Sequence, residues 1–273
     1  MFKLARHKFD IMKKILLVLL IIPELLSAQS PLERLEQSPR HHEWVDVTYG
    51  DRTVRSFLVY PEVADKTPVI IVIHENRGLN DWARSMADQI AEAGYIALAP
   101  DLLSGTGPNG GGTSSYINSD EARTGIYGLS PDQVTADLKA AITYAKKIPA
   151  GNGKVAVIGF CWGGSQSFRL ATNSDQIEAV FVCYGTGPKD AEAIKRIQVP
   201  VYGFYGGNDN RVNATITTSQ ELMNANNKTY LPVIYDEAGH GFFRAGESDD
   251  ASEANKKARE EGLKRLKKLL LDL

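Results

Sequence analysis

Residues 154–164, KVAVIGFCWGG, decide how this sequence folds. The run KVAVI at 154–158 is typical of a strand buried on both faces of a sheet. The run GGSQSFRLAT at 163–172, which shares its two glycines with the quoted stretch, has the apolar spacing of a helix. Gly159 and Gly163 flank Cys161 at two residues on either side, which predicts a tight turn that presents this side chain at the sheet edge. Cys161 is then either a nucleophile or a small residue in a structural turn.

The rest of the chain repeats the alternation of strand and helix. Further strands are predicted at 44–50, 54–61, 69–74, 95–101, 178–185, 199–206 and 229–236, and further helices at 81–94, 131–147, 213–226 and 252–271. The first two strands form an antiparallel hairpin, and the later runs are continuously apolar, as in parallel sheets. We therefore predict an α/β fold over residues 45–273, with a doubly wound, mostly parallel sheet and helices on both faces.

Two segments do not follow this alternation. Residues 29–44 are polar and are expected to be a linker. Residues 104–130 are rich in glycine, serine and asparagine and have no clear periodicity, which is typical of a lid, a binding loop or a mobile insertion.

The N-terminal residues 1–28 are predicted to be a signal peptide. Lys13 and Lys14 precede the apolar run ILLVLLII, and Ser27-Ala28 supplies the small residues of a cleavage site. Met12 is a plausible start, so residues 1–11 could be a mis-annotated extension. We expect export to the periplasm or outside the cell, with cleavage near Ala28; the alternative is a chain anchored by this uncleaved segment.

Charge and composition exclude several classes of partner. The net charge is −2, and removal of residues 1–28, which hold five basic and two acidic residues, makes it −5. An acidic chain gives no electrostatic reason to expect nucleic acid or an anionic membrane as a partner. No cofactor or metal site is predicted, and the sequence allows a monomer or a small homo-oligomer.

A histidine and an aspartate follow Cys161 in the order that hydrolases with this turn require. His240 is the only histidine downstream of Cys161, and it follows the strand at 229–236. Asp209 follows the preceding strand and is expected to hold the imidazole in the tautomer that accepts the thiol proton. A plain turn carboxylate is the alternative for Asp209.

The loop HENRGLN at 74–80, after the first long parallel strand, is expected to supply part of an oxyanion hole. We assign the backbone N–H groups of Asn76 and Trp162 to it. His74 is expected to support the loop. Glu75 is unexpected there, because a carboxylate beside an oxyanion site is unfavourable unless it has a function.

Four features together identify a family resemblance: GFCWGG, the glutamate of HENRG, Asp209, and HGF at 240–242. With them the chain resembles the dienelactone hydrolase family of the α/β-hydrolase superfamily from about Val45 to Leu271. The resemblance implies an ester or lactone hydrolase in which a neutral thiol, hydrogen-bonded toward Glu75, is activated by that carboxylate when substrate binds.

The family also implies arginines that bind a substrate carboxylate. Arg244 has the required spacing after the histidine, and Arg123 lies near the position of a second one.

Alternatives of other kinds stay open. The enzyme could be a broad carboxylesterase, or the chain could be a non-catalytic binding protein on the same fold. The two cysteines, Cys161 and Cys183, could pair after export, but Cys183 lies in an apolar strand where cysteine behaves as a small hydrophobic residue. A thiol-disulfide role is disfavoured because the chain has no CxxC pair.

Overall fold

A computed structural model describes residues 29–273 as strands that alternate with helices. The strands are β1 (His41–Tyr49), β2 (Arg52–Tyr60), β3 (Thr67–Ile73), β4 (Ile96–Pro100), β5 (Gly151–Phe160), β6 (Val180–Cys183), β7 (Val201–Gly206) and β8 (Tyr230–Tyr235). The helices are α1 (Pro31–Glu36), α2 (Asp81–Glu92), α3 (Ser119–Gly128), α4 (Pro131–Ala145), α5 (Trp162–Ala171), α6 (Ala191–Lys195), α7 (Asn210–Asn213), α8 (Ile216–Ala225), α9 (Phe242–Ala245) and α10 (Glu253–Leu270).

Within residues 29–273, eight strands form one sheet in the order β1-β2-β4-β3-β5-β6-β7-β8. β1 pairs antiparallel with β2 and β2 with β4, and every later neighbour is parallel. The predicted hairpin is present, and Gly50 makes its turn with a φ of +51°, which glycine adopts at little cost. The predicted doubly wound, mostly parallel fold is confirmed.

The sheet buries both of its faces, as its continuously apolar strands predict. Along β3, Ile70 packs in one core cluster with Met86 of α2, whereas the next residue, Ile71, packs in the other with Leu138 of α4. Successive strand side chains point to opposite faces, so each helix layer receives every second residue. Each fully buried aliphatic side chain contributes about 1.5–3 kcal/mol to folding.

The strand order places a crevice at the carboxyl ends of β3 and β5. The chain leaves β3 to form β4 on one side and later returns to form β5 on the other side. Loops that leave two such strands diverge, and ligand sites in open α/β sheets lie at this reversal. The loops after β3, β5, β6, β7 and β8 all emerge at this edge.

The expected linker at residues 29–44 is instead part of the folded domain. Ser30 caps α1, because its hydroxyl accepts the Glu33 N–H at 3.2 Å while the Glu33 carboxylate accepts the Ser30 N–H at 2.8 Å. Leu35 is buried in the core, and β1 already begins at His41. The prediction was wrong because it gave composition more weight than this capping box.

The predicted signal peptide, residues 1–28, lies outside the described residues. Between residues 29 and 273, none of the helices is long and apolar enough to cross a membrane.

The insertion at residues 104–130 contains regular structure that its composition did not predict. Asn118 caps α3, and Ala122 and Ile126, one helical turn apart, are buried against Leu103. Near its middle, the Asp101 carboxylate accepts the backbone N–H of Thr113 at 2.7 Å. The segment is therefore anchored through both α3 and Thr113.

The helix predicted from Asn213 begins later, at Ile216, and a separate short helix precedes it. That helix, α7, starts directly after Asp209, whose carboxylate accepts the Val212 N–H at 3.4 Å. Capping by Asp209 explains the extra turn, because its side chain satisfies a donor at the start of α7.

Candidate active site

The turn after β5 has the strained geometry that its sequence predicts. Cys161 has a φ of +54° and a ψ of −115°, a region that non-glycine residues rarely adopt. A side chain at Gly159 would overlap the carbonyl of Gly163, and one at Gly163 would overlap the carbonyls of Ile73 and His74. Only glycine at both positions lets the strand, the turn and α5 pack this closely, and the surrounding structure holds the thiol at the start of α5.

His240 lies between Cys161 and Asp209. Its Nε2 is 3.1 Å from Cys161 Sγ, and its Nδ1 is 2.5 Å from Asp209 Oδ2. The buried Asp209 carboxylate can only accept, so it fixes the proton on Nδ1 and leaves the Nε2 lone pair directed at the thiol. The structure therefore brings the three residues together in the order thiol, imidazole, carboxylate.

The Cys161 thiol is neutral in this setting. Its pKa is raised to about 11: burial makes the largest contribution and the negative charge of Glu75 adds to it, while the Trp162 N–H, the Arg211 cation and the Asn76 N–H partly oppose them. A helix N-terminus by itself favours the thiolate, but desolvation and the neighbouring carboxylate outweigh that effect here.

The two N–H groups expected to form an oxyanion hole both act on the thiol. Backbone N–H groups of Trp162 and Asn76 each lower the pKa of Cys161, which places them on the side of the site where Sγ lies. An oxygen that develops charge beside Sγ would meet the same two donors.

His74 fixes the loop that carries one of these donors. Its Nε2 accepts the Leu102 N–H at 3.3 Å, so its Nδ1 carries the proton and donates to the Glu75 carbonyl at 2.8 Å. The ring also stacks on Trp162, with centroids 5.7 Å apart. Burial lowers the pKa of His74 and keeps it neutral, so it supports the loop as expected.

Glu75 is buried between two donors. Arg244 donates from Nε to Oε2 at 2.8 Å, and the Tyr184 hydroxyl donates to Oε1 at 3.3 Å. Among the described residues, no hydrogen bond joins Glu75 to Cys161, so the thiol contact that the resemblance implies is absent and Glu75 acts on the thiol through its charge. Arg244 is therefore already ion-paired with this carboxylate and is not available to a substrate unless the pair separates.

A cavity of about 190 Å³ opens beside the thiol. Its lining comprises Tyr127, Cys161, Trp162, Ser165, Tyr184, Thr186, Arg211 and Val212. Arg123 is not among these residues and pairs at 3.4 Å with Asp120 on its own helix, so the structure does not bring it to the thiol. Within residues 29–273, no group of three or more His, Cys, Asp or Glu side chains could hold a metal ion.

Sequence reasoning missed three residues of this site. Tyr184 follows β6 with a φ of +42°, and its ring contacts the His240 ring at 5.1 Å between centroids. Arg211 lies two residues after Asp209, and Tyr127 reaches the cavity from α3. The position of Tyr184 directly after a parallel strand is a signal that could have identified it.

Comparison with known proteins identifies the family of this chain. The model of the dienelactone hydrolase family matches residues 54–272. A carboxymethylenebutenolidase from Pseudomonas putida is 30% identical over 224 residues, which cover 79% of this chain and 92% of that protein.

Solved structures show the same fold. A metagenomic protein described as a dienelactone hydrolase-like promiscuous phosphotriesterase superposes with a TM-score of 0.72 at 24% identity, over 86% of this chain and 98% of that one. A dienelactone hydrolase from Anabaena variabilis gives a TM-score of 0.60 at 17% identity, over 81% and 95% of the two chains. The family match, the relative and the fold together show that this chain belongs to the dienelactone hydrolase family, hydrolases of ester and lactone bonds in the α/β-hydrolase superfamily.

Proposed function

We propose that this chain is an exported hydrolase that cleaves a small ester or lactone through a covalent acyl-enzyme on Cys161. One observation carries the proposal: His240 Nε2 lies 3.1 Å from Cys161 Sγ while its Nδ1 is held by Asp209 at 2.5 Å. A base held by a buried carboxylate within reach of a nucleophile is the arrangement that acyl transfer requires.

In the first half-reaction, Sγ attacks the substrate carbonyl and its proton passes to His240 Nε2. The carbonyl oxygen becomes an oxyanion that the N–H groups of Asn76 and Trp162 stabilise, at a position where the thiol pKa already responds to both. The C–O bond then breaks, and His240 returns the proton to the leaving oxygen. The product of this step is a thioester on Cys161.

In the second half-reaction, His240 takes a proton from water, and the hydroxide attacks the thioester carbonyl. The C–S bond breaks, the acid leaves, and the proton restores the Cys161 thiol. The Asp209 carboxylate stabilises the imidazolium that forms in both steps without itself taking the proton.

Glu75 is proposed to control when the thiol becomes reactive. At rest its charge raises the thiol pKa, and Arg244 and Tyr184 hold it in place. A substrate that draws Arg244 away would free the carboxylate to act as a second acceptor for the thiol proton beside His240. Whichever of the two groups accepts the thiol proton, that group then passes the proton to the leaving oxygen.

A substrate panel tests the reaction. We expect the purified domain to hydrolyse small 4-nitrophenyl esters or unsaturated lactones, and we expect the Cys161→Ala variant to lose turnover of all of them. Preference for acidic lactones over neutral esters would favour a dienelactone-like substrate, whereas equal rates would indicate a broad carboxylesterase. Hydrolysis that survives in Cys161→Ala would contradict the proposed nucleophile, and a wild-type protein inactive on the whole panel would indicate a non-catalytic member of the fold.

Export is part of the proposal and rests on the basic, apolar and small-residue pattern of residues 1–28. Expression of the full chain followed by cell fractionation and N-terminal sequencing tests it. A mature protein that starts near Gln29 outside the cytoplasm is expected. An intact N-terminus in the membrane fraction would instead support the anchored alternative, and an intact soluble protein in the cytoplasm would rule out both.

A further inference from the structure

Arg211 places a positive charge in the cavity beside the thiol. It lines the same cavity as Cys161, Ser165 and Thr186, and its guanidinium is close enough to Sγ for its charge to lower the pKa of the thiol. The side chain is exposed to solvent, so a molecule that enters this cavity can contact it. No role in the reaction described above uses this residue.

The backbone that carries Arg211 is held firmly. Asp209 caps α7 through the Val212 N–H at 3.4 Å, and the Asn213 side chain donates to the Gly206 carbonyl at 2.8 Å. Val212 is fully buried next to Arg211. The same carboxylate that orients His240 therefore fixes where the Arg211 side chain begins.

The other arginines considered for substrate binding are already paired. Arg244 donates to the buried Glu75 carboxylate at 2.8 Å, and Arg123 pairs with Asp120 at 3.4 Å. In contrast, the guanidinium of Arg211 makes no hydrogen bond or ion pair with any residue between 29 and 273. It can therefore bind a new anion without first losing a partner.

The rest of the cavity lining suits a small anion. Ser165 and Thr186 share a hydroxyl–hydroxyl hydrogen bond of 3.0 Å, and Ser165 Oγ also accepts the Thr186 N–H at 2.9 Å, so one of the two hydroxyls keeps a proton that it can donate to an anion. The Tyr127 hydroxyl, which accepts from the Asn76 side chain at 3.3 Å, lies on the same wall. The planar fork of a guanidinium matches a carboxylate in two parallel hydrogen bonds.

We propose that Arg211 is the residue that recognises a carboxylate on the substrate, and that it does so in the cavity beside Cys161 while Arg244 stays paired with Glu75 until the substrate is bound. This inference rests on the proposed function, since it assumes that the cavity receives an ester or lactone. It assigns the preference for an anionic substrate to Arg211 in α7 rather than to Arg123 in the insertion.

A matched pair of esters tests the assignment. Mono-4-nitrophenyl succinate and 4-nitrophenyl pentanoate share a leaving group and have similar acyl lengths, but only the first carries a carboxylate. We expect Arg211→Gln to lower kcat/KM for the succinate about 10-fold or more relative to the pentanoate, mainly through KM, because a charge-assisted hydrogen bond is lost. Arg211→Lys should recover part of the ratio, and high salt should reduce the wild-type preference.

The control is Arg123→Gln, which removes another exposed arginine at the same edge and should leave the ratio unchanged. If the wild-type enzyme hydrolyses the pentanoate but Arg211→Gln leaves the ratio unchanged, or if the loss occurs in Arg123→Gln instead, the assignment of Arg211 is wrong and the proposed function stands. If the wild-type enzyme hydrolyses neither ester nor any lactone, the proposed function is wrong and this inference fails with it.

Discussion

Cys161 and Cys183 are neighbours in the fold and differ in almost every physical respect. The Cys161 N–H donates to the Cys183 carbonyl at 3.0 Å, and both thiols are free. Cys183 lies in β6, fully buried in the core, and burial raises its pKa well above the usual range. Cys161 lies on a strained turn at the sheet edge, partly exposed, with His240 3.1 Å away.

This difference shows why the surroundings, and not the thiol itself, single out Cys161 as the proposed nucleophile. Both thiols are neutral at rest, and the charge of Glu75 contributes to the raised pKa of each. Only Cys161 has a base within hydrogen-bond distance and an adjacent cavity that a substrate can enter. A neutral thiol resists oxidation because the thiolate is the reactive species, and a buried thiol without a neighbouring base is inert.

The largest expected effect is the contrast between two matched alanine variants. Cys161→Ala should lower kcat/KM for activated esters by about 10³-fold or more, because the covalent route is lost. Cys183→Ala removes a sulfur of the same size from the core and should keep kcat/KM within about threefold, while it lowers the free energy of unfolding by about 1 kcal/mol through the small cavity it leaves. Steady-state kinetics and urea unfolding measure both.

The account would be contradicted if Cys183→Ala lost as much kcat/KM as Cys161→Ala while its free energy of unfolding stayed close to that of the wild type. That result would mean that Cys183 takes part in the reaction. An intact activity in Cys161→Ala would mean that the nucleophile is another residue.

A smaller effect is expected when the negative charge of Glu75 beside the thiol is removed. Glu75→Gln removes the negative charge that raises the pKa of Cys161, so the variant should hold more thiolate near pH 8 and react faster with iodoacetamide. Hydrolysis should nevertheless slow by about 10- to 100-fold, because the second proton acceptor is lost. For the wild-type enzyme, alkylation should rise about tenfold per pH unit between pH 8 and 10, as expected for a thiol whose pKa is about 11.

Cys183 is the internal control for the labelling, because a fully buried thiol should stay unlabelled in the native protein at every pH in that range. If Glu75→Gln reacted more slowly with iodoacetamide than wild type, the electrostatic account of the resting thiol would be wrong. If it hydrolysed esters as fast as wild type, the proposed activation step would be wrong.

The sequence was sufficient to bring Cys161, Asp209 and His240 to one edge because each lies in the turn or loop that follows a parallel strand. Cys161 follows β5, Asp209 follows β7, and His240 lies in the loop after β8. Parallel neighbours end at the same edge of the sheet, so knowing the strands is enough to bring these side chains together. The same logic placed Asn76 beside the thiol.

Other features depend on contacts that a single sequence does not reveal. That Arg244 pairs with Glu75 was not predictable, because the pairing depends on how α9 packs against the loop after β3. The sequence does not single out Arg211, because its periodicity predicts a helix that begins only at Asn213, whereas Asp209 caps the separate helix α7. Helices α1 and α3 are short and begin in polar segments, so composition concealed their capping residues.

The central claim is that Cys161 carries the acyl group during turnover. Rapid mixing with a slowly deacylating 4-nitrophenyl ester, an acid quench and mass spectrometry of the intact protein and its peptides test it directly. We predict one acyl group per chain on the peptide that contains Cys161, released by hydroxylamine as a thioester is, and no acyl group on the Cys183 peptide. Turnover without any adduct, or an adduct on another side chain such as Ser165, would contradict the account.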